Sequence, residues 1–200
     1  MTRNPNRRLR VVHVTGCLNI GGQEKLLVEF ARHADRDRFD LAFVSLEQRG
    51  ALADEIESLG WPVVALEAST GFHPGLSLKL AREFRHLRAD VVHTHNDRPL
   101  IYGAPAARLA RVPVAIHTKH GRAGGNSPRQ RMLIRCAARL CDAFVCVSED
   151  CRKLAEQQGV PRNRLRTFWN GIDTQRFSFQ TPSSDGPAVI VGRLCPEKDM

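Results

Sequence analysis

Two sets of residues in this chain have the types and spacing to do chemistry: the glycine pair Gly21-Gly22, and the histidines His93, His95, His117 and His120. The run Val11-Val12-His13-Val14 reads as a core strand, because β-branched residues suit a pleated, packed backbone. Leu26, Leu27, Phe30 and Ala31 then recur at helical spacing. The glycine pair lies where the period changes. Glycine permits positive φ and lets a ligand approach the main chain closely. The helix that follows aims free N–H groups and its positive dipole end at the same point, which favours phosphate. The same pair would also serve a plain strand-to-helix turn.

His93-Thr-His95-Asn-Asp97 fits an H-x-H-x-D arrangement, and histidine with aspartate is good first-row metal chemistry. A metal-dependent hydrolase on His93, His95 and Asp97 is therefore one alternative. Against it, Arg98 stands where the dinuclear pattern continues with histidine, and no acidic residue follows before Asp142. The six cysteines, Cys17, Cys136, Cys141, Cys146, Cys151 and Cys195, contain no pair two to four residues apart. They read as reduced, mostly buried small apolar residues rather than a metal cluster.

The elements that must position these groups follow from periodicity. After the first strand and helix, strands are predicted over 39–46, 62–66, 90–95, 113–118, 143–147 and 165–169. Helices are predicted over 51–59, through Leu76, Leu80, Phe84 and Leu87, up to about Arg111, over 127–140, and from Ser148 to Gly159. Strands alternating with helices specify an α/β, Rossmann-like parallel sheet covered on both faces. Ligands in such sheets bind outside the carboxyl ends of the strands. The glycine pair and the four histidines all fall at those ends.

Residues 1–9 read as a basic, disordered lead-in, 10–177 as one domain, and 178–187 as a polar linker. A strand restarts at 188–192, and a lone strand cannot bury itself. Residues 188–200 therefore read as the entrance to a second domain, where the sequence stops. A hydrophobic share of 42% supports a core, and no apolar run approaches membrane-spanning length. The first ten residues lack the apolar segment of a signal peptide, so the expected location is cytoplasmic.

The net charge of +9 is unevenly placed, since no acidic residue lies between Arg98 and Cys141. That field suits a nucleotide, a phosphorylated lipid, an anionic membrane face or a nucleic acid. Nucleic acid is disfavoured, with 6% aromatics and no recognised module. A nicotinamide site is disfavoured too, because the loop after the first strand does not fit G-x-G-x-x-G. Arg131, Arg135 and Arg139 form an i, i+4, i+8 stripe with Met132, Cys136 and Leu140 in the next row. Such a face can lie on an anionic leaflet, with Arg122 and Arg129 close by. The competing arrangement packs the apolar row on the sheet and turns the arginines to water.

In order along the chain, several motifs resemble the N-terminal half of a GT-B fold glycosyltransferase of the large retaining family numbered four. They are Gly21-Gly22-Gln23-Glu24, Asp90-Val-Val-His-Thr-His95, His117-Thr-Lys-His120-Gly121 and Val145-Cys-Val-Ser-Glu149, then Asn170-Gly-Ile-Asp173 with Phe177, and Val191-Gly-Arg-Leu-Cys-Pro-Glu-Lys198. The likeness is greatest to bacterial members of exopolysaccharide or lipid-linked sugar assembly. It implies transfer of a sugar from a nucleotide-diphosphate donor to a glycan or lipid-linked acceptor, peripheral to the inner face of the membrane. It implies no cofactor and no metal. Residues 10–177 would be the acceptor side. Arg193 and Lys198 match the basic pair on the donor pyrophosphate, Gly21, Gly22 and His95 line the substrate side, and His120 matches the position beside the reacting sugar. Asp199 departs from the family, which often has glycine there, and the family's glutamate pair lies beyond these residues, so they are not expected to be active alone. A nucleotide-sugar epimerase of the same fold is the nearer alternative.

Overall fold

The computed structural model describes residues 7–121 and 127–179. Seven strands, β1 (Leu9–Thr15), β2 (Phe39–Ser45), β3 (Val63–Ala65), β4 (Val91–His95), β5 (Val114–Lys119), β6 (Ala143–Cys146) and β7 (Leu165–Thr167), pair in one sheet. The order is β3-β2-β1-β4-β5-β6-β7 and every pairing is parallel. Six helices connect them: α1 (Gly22–His33), α2 (Ala53–Ser58), α3 (Leu76–His86), α4 (Asp97–Leu109), α5 (Pro128–Ala138) and α6 (Glu149–Gln157). The expected Rossmann-like α/β fold is thus what forms.

Alternation along the strands divides the core. Leu41, Phe43 and Val63 pack with Leu27, Val28 and Ile56 of α1 and α2 on one face. Val12, Val14, Val92 and Ala115 pack with Leu80, Phe84 and Ala106 of α3 and α4 on the other. Phe144, Cys146 and Leu165 meet Ile134, Cys151 and Ala155 of α5 and α6. Strand order reverses between β1 and β4, the place at whose carboxyl edge ligands bind in open α/β sheets.

Local signals account for the helix starts. Ser127 caps α5 by accepting from Gln130 N at 3.2 Å, ahead of a proline in the first turn, and Ser148 caps α6 through Cys151 N at 3.1 Å. The glycine pair behaves differently from expectation. Gly21 is extended at φ −165°, and Gly22 is not among the positive-φ glycines. Unusual backbone angles are not why this loop has glycines. A Cβ on Gly21 would meet the Glu24 carboxylate at 2.3 Å, whereas one on Gly22 would enter open space. Gly22 thus leaves room for a ligand at the start of α1.

Residues to Asn170 form one compact unit, and Gly171 onward belongs to a second. In its described part, Asp173 Oδ1 accepts from Gln175 N at 2.9 Å and Arg176 N at 3.1 Å, the turn that Asp favours. Residues 1–6 of the predicted lead-in, most of the linker, and the predicted second-domain start lie outside the described residues. Among those described, no helix is long and apolar enough to cross a membrane. Cys141, Cys146 and Cys151 are buried as expected, but Cys136 is exposed.

Candidate functional site

The carboxyl ends of β1 and β4 are bridged by a polar net. Gln23, in the first turn of α1, donates to Thr15 Oγ1 at 2.9 Å and accepts from the Asn96 amide. Asn96 Oδ1 accepts the backbone N–H of His120 at 3.0 Å, and Asn96 N–H donates to Thr118 O at 3.0 Å. One residue therefore ties β4, β5 and α1 together. Its backbone sits at φ 63°, ψ 175°, a region that is essentially glycine's. That conformation costs about 1–3 kcal/mol, and these hydrogen bonds, with the one its carbonyl accepts from Leu100 N at 3.1 Å, offset it.

Side-chain alternation on β1 and β4 brings histidines together behind this net. His13 lies opposite His93 in the β1–β4 register, and His95 is two residues on, so all three share the α1/α2 face. His13 Nδ1 and His95 Nε2 are hydrogen-bonded at 3.1 Å, and His95 Nδ1 and His120 Nε2 at 2.9 Å. His93 Nε2 is bonded instead to Thr118 Oγ1 at 2.7 Å. His117 points to the opposite face, where its Nδ1 meets Thr94 Oγ1 at 2.9 Å and its ring lies against Phe144. Burial lowers the pKa of His13 and of His120 to about 4. Burial, then the neighbouring imidazoles, holds His93 and His95 well below the usual range, and burial, then Lys119, does so for His117. All five rings are neutral at neutral pH. His120 Nδ1 is buried at the edge with no hydrogen-bond partner among the described residues.

Neutral imidazoles are also metal ligands, and nitrogens of His13, His93 and His95 lie within 4.8 Å of one another. This is not the set the sequence pattern suggested. Asp97 is absent from it, because Lys119 Nζ donates to Asp97 Oδ1 at 3.1 Å in a buried pair. His95 already spends both nitrogens on its histidine neighbours. The His93/His95/Asp97 hydrolase reading is therefore not favoured.

Residues 20–176 match the family model described as Glycosyltransferase Family 4. The chain belongs to that family. This Family 4 chain is 23% identical over 219 residues to the Escherichia coli UDP-Gal:alpha-D-GlcNAc-diphosphoundecaprenol alpha-1,3-galactosyltransferase, covering 98% of this chain and 57% of that one. It is 28% identical over 192 residues to the putative glycosyltransferase EpsF of Bacillus subtilis (strain 168), covering 88% and 48%. Its fold matches the crystal structure of Anabaena Alr3699/HepE in complex with UDP at a TM-score of 0.66 and 18% identity, covering 86% and 47%. The chain spans about half the length of these relatives. The match is to the glycosyltransferase family, which places the epimerase reading second.

In this Family 4 chain Gly21, Gly22, His95 and His120 all sit at the carboxyl edge of one parallel sheet, as expected. Arg193 and Lys198 lie outside the described residues. A separate cleft of about 280 Å³ opens between the loop after β3 and the first turns of α4 and α5. Phe72, Ile101, Tyr102 and Leu133 line it with Arg98 and Arg129. Arg98 is paired with Glu47, while the Arg129 guanidinium lies 5.7 Å from the centre of the Phe72 ring. His13, Asn96 and Lys119 are functional-region residues that sequence reasoning passed over. For His13 a signal existed: a lone titratable group inside an otherwise apolar core strand must find a buried partner.

Proposed function

We propose that the full-length protein transfers a sugar from a nucleotide-diphosphate sugar to a glycan or lipid-linked acceptor, with retention and without a metal. The observation that carries this reading is the convergence of the open Gly22 loop and the unfilled His120 Nδ1 on one carboxyl edge in a Family 4 chain. The reading is supported by the E. coli relative, named for UDP-Gal and a diphosphoundecaprenol acceptor, and by the HepE structure, which holds UDP. Arg193 and Lys198 would balance charge building on the departing diphosphate, so the reaction needs no metal for that task. His120 Nδ1 would hold a hydroxyl of the reacting sugar. Full-length protein assayed with a chelator present is the test. Transfer should persist, and Arg193→Ala or Lys198→Ala should reduce it by about 10²-fold or more. Wild-type turnover in both variants, or loss of transfer on chelation alone, would overturn this assignment.

The acceptor end of the reading rests on the cleft and on α5. Arg129 and Phe72 present a cation beside an apolar wall, the chemistry of a lipid phosphate. On α5, Met132 and Cys136 are exposed next to Arg131, Arg135 and Arg139, while Ile134, Ala137 and Ala138 pack inward. Leu133 and Leu140 are half-buried, so only part of the apolar row turns to the sheet. The remainder suits reversible docking on an anionic leaflet, each arginine adding about 1 kcal/mol, and so a cytoplasmic enzyme peripheral to the membrane. In vesicle flotation, binding should require anionic lipid, fade with salt, and weaken when Arg131, Arg135 and Arg139 become glutamine. A triple variant that floats like its parent would show that this helix is not the docking surface.

A further inference from the structure

Three imidazoles run in file from the middle of the sheet to the carboxyl edge: His13, His95 and His120. Two hydrogen bonds, 3.1 Å and 2.9 Å, join them through His13 Nδ1, both nitrogens of His95, and His120 Nε2. The rings cannot readily turn out of line. His13 is held between Phe43 at 5.1 Å and Phe30 at 5.6 Å, and His95 lies against His13 at 5.3 Å and against His93 at 4.2 Å. His93 stands beside the file but spends its Nε2 on Thr118.

A neutral imidazole carries one ring proton, so one nitrogen donates and the other accepts. That rule couples the three rings. If His95 carries its proton on Nδ1, it donates to His120 Nε2, and His13 must donate to it from Nδ1. His120 is then left with its proton on Nδ1. If His95 carries its proton on Nε2, each assignment reverses, and His120 Nδ1 is a bare acceptor. Any other distribution sets two protons or two lone pairs against each other in a buried hydrogen bond, and costs that bond. The three tautomers therefore stand or fall together.

We propose that His13 and His95 are positioning residues that couple the tautomer of His120 to their own, so that its buried Nδ1, without a partner among the described residues, changes its role toward a substrate hydroxyl, donor or acceptor, only when all three rings change together. The consequence for turnover rests on the transferase reading; the lock itself does not. An Nδ1 that sampled both roles would meet the hydroxyl correctly only part of the time. Removing His13, whose ring lies two histidines behind His120, releases the far end of the file without touching the edge.

Protein labelled with ¹⁵N-histidine, studied by two-bond ¹H–¹⁵N correlation at pH 7.5, reads which ring nitrogen bears each proton. His13, His95 and His120 are expected to show one tautomer in common. Mixed tautomers among the three in the wild-type spectrum would overturn the lock, and this needs no variant to fold. His13→Phe keeps a flat ring between Phe30 and Phe43 but removes the bond that weighs one set against the other, and the tautomer ratio of His120 should then shift. In the full-length enzyme the same change should lower kcat by about 2- to 10-fold, the worth of one neutral hydrogen bond, with the donor KM little moved. A shifted ratio with kcat unchanged, or an unshifted ratio, would overturn the positioning role. A wild-type protein that transfers no sugar from any nucleotide donor would overturn the transferase reading and leave the spectroscopic result standing.

Discussion

Lowering the pH from 7.5 to 5.5 is expected to remove roughly 3 kcal/mol of folding stability through His13 and His120 alone, with further loss in the same direction from three more buried rings. The cause is the set of five buried neutral rings, His13, His93, His95, His117 and His120. In the unfolded chain each takes up a proton near pH 6.5. In the folded chain burial holds each pKa below that value, to about 4 for His13 and His120. Below pH 6.5 the unfolded state thus binds more protons, and stability falls as pH falls, by about 1.4 kcal/mol per pH unit for each of His13 and His120. From about one unit above pH 6.5 upward these groups contribute little slope. For His13 and His120 the loss ends near pH 4, where the folded ring protonates too. Carboxylates act lower: burial pushes the Asp90 carboxyl up, but the Arg10 N–H and the Arg7 guanidinium outweigh it and hold it below its usual value. Urea midpoints at pH 7.5, 6.5 and 5.5 measure the effect. A midpoint constant down to pH 5.5 would show that the histidines are not buried as described.

Lys119→Met should destabilise the fold by about 3–5 kcal/mol, because it strands the Asp97 carboxylate in the interior. For a domain of this size that is a fall in Tm of about 6–20 °C. Lys119 is 1% exposed, Asp97 is 7% exposed, and Asp97 Oδ2 already lacks a hydrogen-bond partner. Lys119→Met with Asp97→Leu removes both charges and should recover most of the loss, since a hydrophobic pair often replaces a buried ion pair at little cost. Calorimetry on the three variants decides it. A single Lys119→Met variant melting within about 2 °C of wild type would mean that the pair is not buried in solution.

The first expectation rests largely on histidines that the sequence singled out, the second on a residue that it left undistinguished, while the scaffold around both was plain. Strand alternation and helical spacing are local, so all seven strands could be located from the chain, and the carboxyl-edge placement of Gly21, His95 and His120 followed from their being parallel. Lys119 was different. It looked like one more cation in an acid-free stretch, yet it ends β5 and pairs with the first residue of α4. That pairing depends on how a helix lies across a neighbouring strand, which no local pattern encodes. Asn96 adopts a glycine-like backbone only because Gln23, Thr118 and His120 converge on it. The glycine pair was legible as a turn at the sheet edge, but positive φ plays no part in it, and a Cβ on Gly22 would enter open space. On α5 the spacing revealed two rows. Which of Met132, Leu133 and Leu140 faced water depended on how the helix is rotated against α4 and the sheet.

The central claim, that sugar transfer takes place at the edge where His120 stands, is tested most directly by steady-state kinetics of His120→Ala in the full-length protein. In the proposed reaction the side chain would contribute a hydrogen bond to the reacting sugar and none to the leaving diphosphate. Its loss should lower kcat by about 10- to 100-fold, the worth of one well-placed hydrogen bond in a dry site, with donor affinity within a few-fold of wild type. Wild-type kcat in His120→Ala, in a protein whose melting temperature shows it folded, would contradict the account.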